Sequence, residues 1–378
     1  MRVVLVHDWL VGMRGGERVL LELARMFPSA PIHTLVYRAG PDFPPEFSPS
    51  RVRTSWLQHL GLGEKGRYRW VLPVMPWAVK TLAPRACDLL ISTSHCVAKA
   101  VPVPSGARHI CYIHTPMRYM WQQFGSYFSL RRNPLTWAVA RAIRGAMRNW
   151  DRASAMSVDV FVANSHTVAE RVRRFYGREA LVIHPPVDTS RFQPVSPQQV
   201  QDYYLVVSAL VPYKRVELAI EACKELKRRL VVVGEGPEAG RLRQLAHGAD
   251  VQLVGRVSDR EVARLMARCR ALIFPGEEDF GITPVECMAA GRPVVALGKG
   301  GVTESVVGLD DPEGRPPTGV FFPEPTPQAL AQAMLTLERN MGQFNPKALV
   351  ARAREFDTSH FRNRFRSLIE MMDLGTEP

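Results

Sequence analysis

The stretch that decides the fold runs from Phe274 to Leu297 and reads FPGEEDFGITPVECMAAGRPVVAL. It begins where the apolar run ALIF stops at Pro275 and Gly276, and three acids come next, Glu277, Glu278 and Asp279. Thr283, Pro284 and Glu286 then spell a helix start: Thr caps, Pro suits the first helical position, and Glu at the third completes a capping box. Gly291 and Pro293 mark the helix end, and PVVALG starts a second apolar run. Strand, acidic turn, helix and strand make up the repeating unit of a parallel sheet, whose ligands bind outside the carboxyl ends of the strands. Two readings of Glu286 are open. It satisfies its own helix N-terminus, or it faces a ligand there. Backbone N–H groups from Phe280 to Thr283 would favour a diphosphate, and carboxylates would accept hydrogen bonds from sugar or ribose hydroxyls. Glu277 and Asp279 are likewise either solvated loop acids or hard oxygen ligands for a divalent metal.

The same unit recurs along the chain. VVLVH, DLLIS, HICYIH, VFVANS and ALVIH read as strands in the first half; YYLVVSA, LVVVGE, VQLVG, ALIFPG and PVVALG do so in the second. Helical periodicity lies between them, at 16–27, 216–229, 238–247, 259–269 and 327–339. Buried strands alternating with helices predict an α/β fold with parallel sheets covered on both faces. The proline-rich segment HPPVDTSRFQPVSPQQ separates the halves, after which the series restarts. The expected division is a Rossmann-like domain over 1–185, a second over 186–357, and a final helix over 358–378 packing back on the first.

Composition narrows the class. The chain of 378 residues carries a net charge of +13. Residues 1–185 hold 25 Lys and Arg against 11 Asp and Glu, a balance of +14, whereas residues 186–378 hold 24 against 25, a balance of −1. The first half is therefore expected to meet an anionic partner: a membrane surface, a phosphorylated acceptor or nucleic acid. No apolar stretch reaches the length of a membrane span. MRVVLVHD reads as a first buried strand rather than a signal peptide, because Asp8 arrives too early. The six cysteines form no C-x-x-C pair and read as reduced core thiols of a cytoplasmic protein.

Glu278 and Glu286, set in EEDFGITPVECMAAGRPVVA, resemble the E-x7-E signature of the retaining glycosyltransferases of family four. RGGERVLLELA, HPPVDTSRFQP, VVSALVPYKRVELAIEA, VVVGEGPEAGRL and VGRVSDREVARLMARCRALIFPG follow the pattern of that family in order. VHDWL with YIHTPMRYMW is most similar to its GDP-mannose-using mannosyltransferase branch. The resemblance implies the GT-B fold, two Rossmann-like doubly wound domains facing a cleft. It implies that Gly15 and Gly16 meet the donor phosphate or the reacting sugar, and that Lys214 and Arg215 clamp the leaving diphosphate. Glu286 would bind the ribose and Glu278 the transferred sugar. Amides of Phe280, Gly281, Ile282 and Thr283 would complete the donor site, with Gly300, Gly301 and Glu304 supporting it. Apart from the resemblance, His114 at the end of HICYIH reads either as a hydrogen-bonded structural residue or as one that faces the acceptor hydroxyl or the donor sugar. The family usually carries an Arg five residues before the Lys; this chain has Ala209.

Residues 117–152 hold seven arginines and one acid, Asp151, interleaved with aromatic residues. Arg118, Arg131, Arg132, Arg141, Arg144 and Arg148 read as an acceptor-docking surface that meets anionic lipid head groups or a lipid diphosphate, or as a basic helix with an ordinary core face. No nucleic-acid module accompanies them.

The expected activity is transfer of a hexose, mannose from GDP-mannose being favoured, to a hydroxyl of a lipid-linked or polysaccharide-precursor acceptor, with retention. The nucleotide sugar is a co-substrate; no cofactor is expected, and the lack of a D-x-D motif agrees with metal independence. The expected location is cytoplasmic, with the cytoplasmic face of the membrane open to the basic half. A UDP-hexose-using transferase is the alternative within the family. Outside it stand a non-catalytic membrane- or RNA-binding protein on the same fold, and an epimerase or phosphorylase.

Overall fold

The computed structural model describes residues 1–40, 43–61, 67–122, 124–128 and 134–372. They form two units: Met1–Pro186 with the chain from Phe361 onward, and Val187–His360. The first is built on seven parallel strands: β1 (Val3–His7), β2 (Ile32–Thr34), β3 (Val52–Thr54), β4 (Leu89–Ser94), β5 (Arg108–Ile113), β6 (Val160–Ala163) and β7 (Ala180–Val182). Their order is β3-β2-β1-β4-β5-β6-β7, so the winding reverses between β1 and β4. Every residue of β1 is buried, as expected of a parallel strand covered on both faces.

The second unit carries β8 (Tyr204–Val207), β9 (Leu230–Val233), β10 (Val251–Gly255), β11 (Ala271–Phe274), β12 (Val294–Leu297) and β13 (Gly319–Phe322). Their order is β10-β9-β8-β11-β12-β13, with the reversal between β8 and β11. β2, β3 and β13 are absent from the strands read in the sequence. IHT and VRT are three-residue strands whose mixed composition makes no apolar run. Packing overrides that composition: His33 is buried, its Nδ1 lying 2.6 Å from the Leu82 carbonyl oxygen.

The longer helices of the first unit include α1 (Gly15–Met26), α2 (Pro134–Ser154) and α3 (His166–Tyr176). Ser165 caps α3 by accepting the Val168 N–H at 3.1 Å. In the second unit lie α4 (Val216–Leu226), α5 (Ala239–Leu245), α6 (Asp259–Arg268), α7 (Ile282–Ala289), α8 (Pro327–Arg339) and α9 (Pro346–Arg354). The last helix, α10 (Thr358–Met371), buries Phe361, Phe365, Leu368 and Ile369 in the core that Val3, Leu5, Leu20 and Tyr112 share. Arg362 seals the contact on Glu22 at 2.5 Å.

A buried ion pair ties the turn after β4, α2 and α3 together. Lys99 is 1% exposed and its Nζ lies 2.5 Å from Oδ1 of the fully buried Asp151. Asp151 Oδ2 accepts from Trp121 Nε1 at 2.7 Å and from the Tyr176 hydroxyl at 2.9 Å. Removing one partner leaves the other charge uncompensated in a dry interior. Asp151→Ala is therefore expected to destabilise the first unit by about 3–5 kcal/mol, and Lys99→Met combined with Asp151→Leu by less. Urea midpoints of the three proteins check this; a single variant as stable as wild type contradicts it.

Candidate active site

At the reversal point of the second sheet, the turn after β11 rests on the turn after β8. A Cβ on Gly276 would lie 2.9 Å from the Tyr213 carbonyl oxygen and 3.0 Å from Lys214 Cα, so only glycine permits this approach. The approach brings Lys214 and Glu278 into an ion pair, with side chains 17% and 21% exposed. From the other side, Gly300 pairs with Glu278 in an isolated bridge, and the Gly301 N–H donates to the Glu278 carbonyl at 2.9 Å. A Cβ on Gly301 would sit 2.1 Å from the Asp279 carbonyl oxygen. The two glycines thus buttress the acidic turn, and Glu304 lies just beyond them in the short helix Val302–Ser305.

The helix start differs from the sequence reading. α7 begins at Ile282 with Gly281 at the cap, φ +88°, and no side-chain cap bond. Thr283 is therefore inside the first turn, and Glu286 lies too far along the helix to reach back to the cap. The capping box does not form, because a left-handed glycine turns the chain earlier; a Cβ there would meet the Phe274 ring at 2.9 Å. Glu286 is buried at 6% exposure. The Phe280 ring is core, 5.5 Å from that of Phe356. Arg215 is exposed and occupies a left-handed position, φ 51°, immediately before α4. A non-glycine residue there stores strain, a common feature of functional turns. Ala209 lies in the segment that leads from β8 to Lys214.

At the reversal point of the first sheet, His7, Asp8, His95 and His114 gather with the start of α1. Asp8 is fully buried and accepts four backbone N–H groups, from His95 (2.6 Å), Cys96 (2.9 Å), Val97 (2.7 Å) and Ala98 (2.7 Å). His95 Nδ1 lies 3.2 Å from the same carboxylate. The His95 ring stands 6.3 Å from that of His7 and 6.2 Å from that of His114. Gly16 and His114 meet: a Cβ on Gly16 would lie 3.3 Å from His114 Nε2. That nitrogen and His7 Nε2 are buried without a hydrogen-bond partner. Burial pushes both imidazoles down to about 3, so they are neutral at physiological pH. Gly15 is the first residue of α1. The sequence reading missed His7, Asp8 and His95. The available signal was a His-Asp pair closing a wholly apolar strand.

The arginines are not one docking face. Arg144 and Arg148 each donate to the Met120 carbonyl at 2.9 Å, and both also bond the Trp121 carbonyl. Their guanidinium groups lie over the Phe124 and Trp121 rings. They finish the C-terminal end of the short helix Arg118–Trp121, whose last carbonyls lack helical partners. Arg118 opens that helix, Arg141 is exposed, and Arg131 and Arg132 lie outside the described residues. Among the described residues no group of three or more His, Cys, Asp or Glu could hold a metal ion, and no helix is long and apolar enough to cross a membrane.

Glu17 supplies a test of this geometry. Its Oε2 accepts the Arg14 N–H at 3.1 Å, and burial pushes its carboxyl up to about 7. The folded chain thus keeps a proton there that the unfolded chain loses above about 4.5, so Glu17 opposes folding increasingly between about pH 4.5 and about 7, and by a constant amount above that. Glu17→Gln is expected to stabilise at pH 8 by up to about 3 kcal/mol and to confer nothing near pH 4. Thermal midpoints at several pH values check this; a pH-independent difference contradicts it.

The chain matches two family models, Glycosyltransferase Family 4 over residues 13–191 and Glycosyl transferases group 1 over 188–356. Human alpha-1,3/1,6-mannosyltransferase ALG2 is 25% identical across 93% of this chain and 91% of its own length. An uncharacterized glycosyltransferase of Methanocaldococcus jannaschii is 34% identical, over only 28% of this chain and 31% of that protein. A GDP-mannose-dependent alpha-(1-6)-phosphatidylinositol dimannoside mannosyltransferase of Mycobacterium tuberculosis is 39% identical over 21% of each. Among solved structures, sucrose-phosphate synthase from Thermosynechococcus elongatus has a TM-score of 0.74 at 16% identity, covering 98% of this chain and 99% of that one. HepE of Anabaena, solved in complex with UDP, has a TM-score of 0.71 at 18% identity, covering 98% of this chain and all of that one, 100%. Two family models that together take in residues 13–356, and two parallel sheets each reversing at its centre, place the chain in the family-four glycosyltransferases of GT-B fold.

Proposed function

We propose that the chain transfers a hexose from a nucleotide diphosphate sugar to an acceptor hydroxyl, with the anomeric configuration retained. The observation that carries this reading is the Lys214–Glu278 pair at the reversal point of the second sheet, beside the start of α7. A diphosphate placed there meets a fixed cation and the first-turn amides of α7, which have no partner within the helix. Both stabilise the negative charge that develops as the sugar–phosphate bond breaks. Glu286 accepts the ribose hydroxyls, and Glu278 orients the transferred sugar. Gly15, Gly16 and His114 of the first unit serve the reacting sugar and the acceptor. The acceptor loses its proton to a phosphate oxygen of the leaving group, so no dedicated base and no metal take part.

Mannose from GDP-mannose is the favoured donor. The support is the run of mannosyltransferases among the relatives, including the human and mycobacterial proteins and an O-antigen chain mannosyltransferase of Escherichia coli. By the same likeness the acceptor is a hydroxyl on a lipid-linked or glycan precursor. A UDP-hexose is the second reading, favoured by the UDP bound in HepE.

Lys214→Ala is expected to lower kcat by about 10²–10³-fold, and Glu286→Gln to raise KM for the donor. The measurements are steady-state rates of donor turnover on GDP-mannose and UDP-hexoses, with the product anomer read by NMR and the rates repeated in chelator. Wild-type rates in both variants contradict the assigned site. An inverted anomer or a chelator-sensitive rate contradicts the assigned mechanism.

A further inference from the structure

The donor site as assigned is short of positive charge. Five acids belong to it: Glu277, Glu278, Asp279, Glu286 and Glu304. Lys214 is fixed among them, but Glu278 already takes up its charge. The N-terminal end of α7 adds only about half a unit of positive charge. A nucleotide diphosphate is itself an anion, and it gains negative charge as the sugar leaves. Like charges therefore oppose it here unless a further cation takes part.

Arg215 and Lys299 are exposed, and neither side chain has an ion-pair or hydrogen-bond partner among the described residues. Arg215 belongs to the clamp that the resemblance implies; Lys299 stands outside it. Lys299 lies between Gly298 and Gly300 in the turn that leaves β12. Backbone contacts hold that turn at both ends. The Gly298 N–H donates to the Phe322 carbonyl at 2.9 Å, the Lys299 N–H to the Leu297 carbonyl at 2.7 Å, and the Gly301 N–H to the Glu278 carbonyl at 2.9 Å. Gly300, φ +78°, rests on the acidic turn itself: a Cβ there would lie 2.4 Å from the Glu278 carbonyl oxygen and 3.2 Å from Glu277 Cγ. Lys299 is one Cα step, about 3.8 Å, from that contact. Its backbone is thus fixed beside Glu278, while its ammonium pairs with none of the acids around it. A compact charge on a flexible stem suits a phosphate oxygen.

We propose that Lys299 binds the phosphate that carries the sugar and stabilises the charge that collects on it during transfer. The inference rests on the donor reading of this site. In that reaction the bond from the anomeric carbon to the phosphate oxygen breaks, and its electron pair stays on that oxygen. The acceptor oxygen forms the new bond to the anomeric carbon and gives its proton to the departing phosphate. The sheet places β11 between β8 and β12. Lys214 therefore flanks the acidic turn from the β8 side and Lys299 from the β12 side. Glu278, which orients the transferred sugar, lies between them, so the phosphate bonded to that sugar is the one within reach of both.

The test compares nucleoside diphosphates with monophosphates, which lack that phosphate. Calorimetric titration of the full chain with GDP, GMP, UDP and UMP gives the diphosphate preference. Lys299→Ala is expected to weaken binding of the preferred diphosphate by about tenfold or more, with monophosphate affinity and thermal midpoint unchanged. Lys299→Arg is expected to keep most of the preference, since it keeps the charge. With the sugar donor, Lys299→Ala is expected to lower kcat more than it raises KM, because the charge it meets is greatest in the transition state. Wild-type diphosphate affinity in Lys299→Ala overturns the proposal and leaves the donor reading standing. So does an equal loss for mono- and diphosphates, which would place Lys299 at the nucleoside end. A wild type that binds no nucleoside diphosphate overturns the donor reading and the proposal with it.

Discussion

The candidate site depends on the close approach of two turns. Parallel strands β8 and β11 leave the second sheet side by side, and nothing in that alone brings the side chains beyond them together. The missing side chain of Gly276 does, by letting one turn rest on the Tyr213 and Lys214 backbone. Gly300 and Gly301 press the acidic turn from the far side. An ammonium and a carboxylate are thereby held at the mouth of the sheet by backbone contacts, and they need no loop reorganisation to be positioned. Preorganised charge of this kind is what stabilises a transition state in which a diphosphate departs.

The first sheet solves the same problem differently. There a single buried carboxylate, Asp8, gathers four successive amides and folds the turn after β4 around itself. His95 is fixed by the same group, and Gly16 opens space against His114. Neutral imidazoles with unmatched nitrogens suit hydroxyl-bearing ligands, whereas the second sheet presents full charges. The two units therefore hold chemically distinct groups at equivalent places in equivalent folds.

The long apolar strands and amphipathic helices were legible in the sequence because parallel strands buried on both faces leave unbroken runs. β2 and β3 were not, since IHT and VRT become strands only through their neighbours. Lys214, Glu278, Gly300 and Gly301 were singled out in the sequence and are contiguous in the structure, yet what Gly276 does depends on a contact remote in sequence. The start of α7 was misplaced because Thr-Pro-Val-Glu satisfies the capping rules locally, while Gly281 and the Phe274 ring turn the chain earlier. The arginines of α2 misled for a related reason. Periodicity cannot tell a guanidinium that finishes a neighbouring helix from one that faces solvent.

The central claim is that the second-sheet reversal point holds the nucleotide diphosphate. Amide hydrogen exchange of the full chain with and without GDP, resolved by mass spectrometry, addresses it most directly. The account predicts new protection in segments 209–216, 276–286 and 298–304. Nucleotide binding with protection confined to other segments would contradict it.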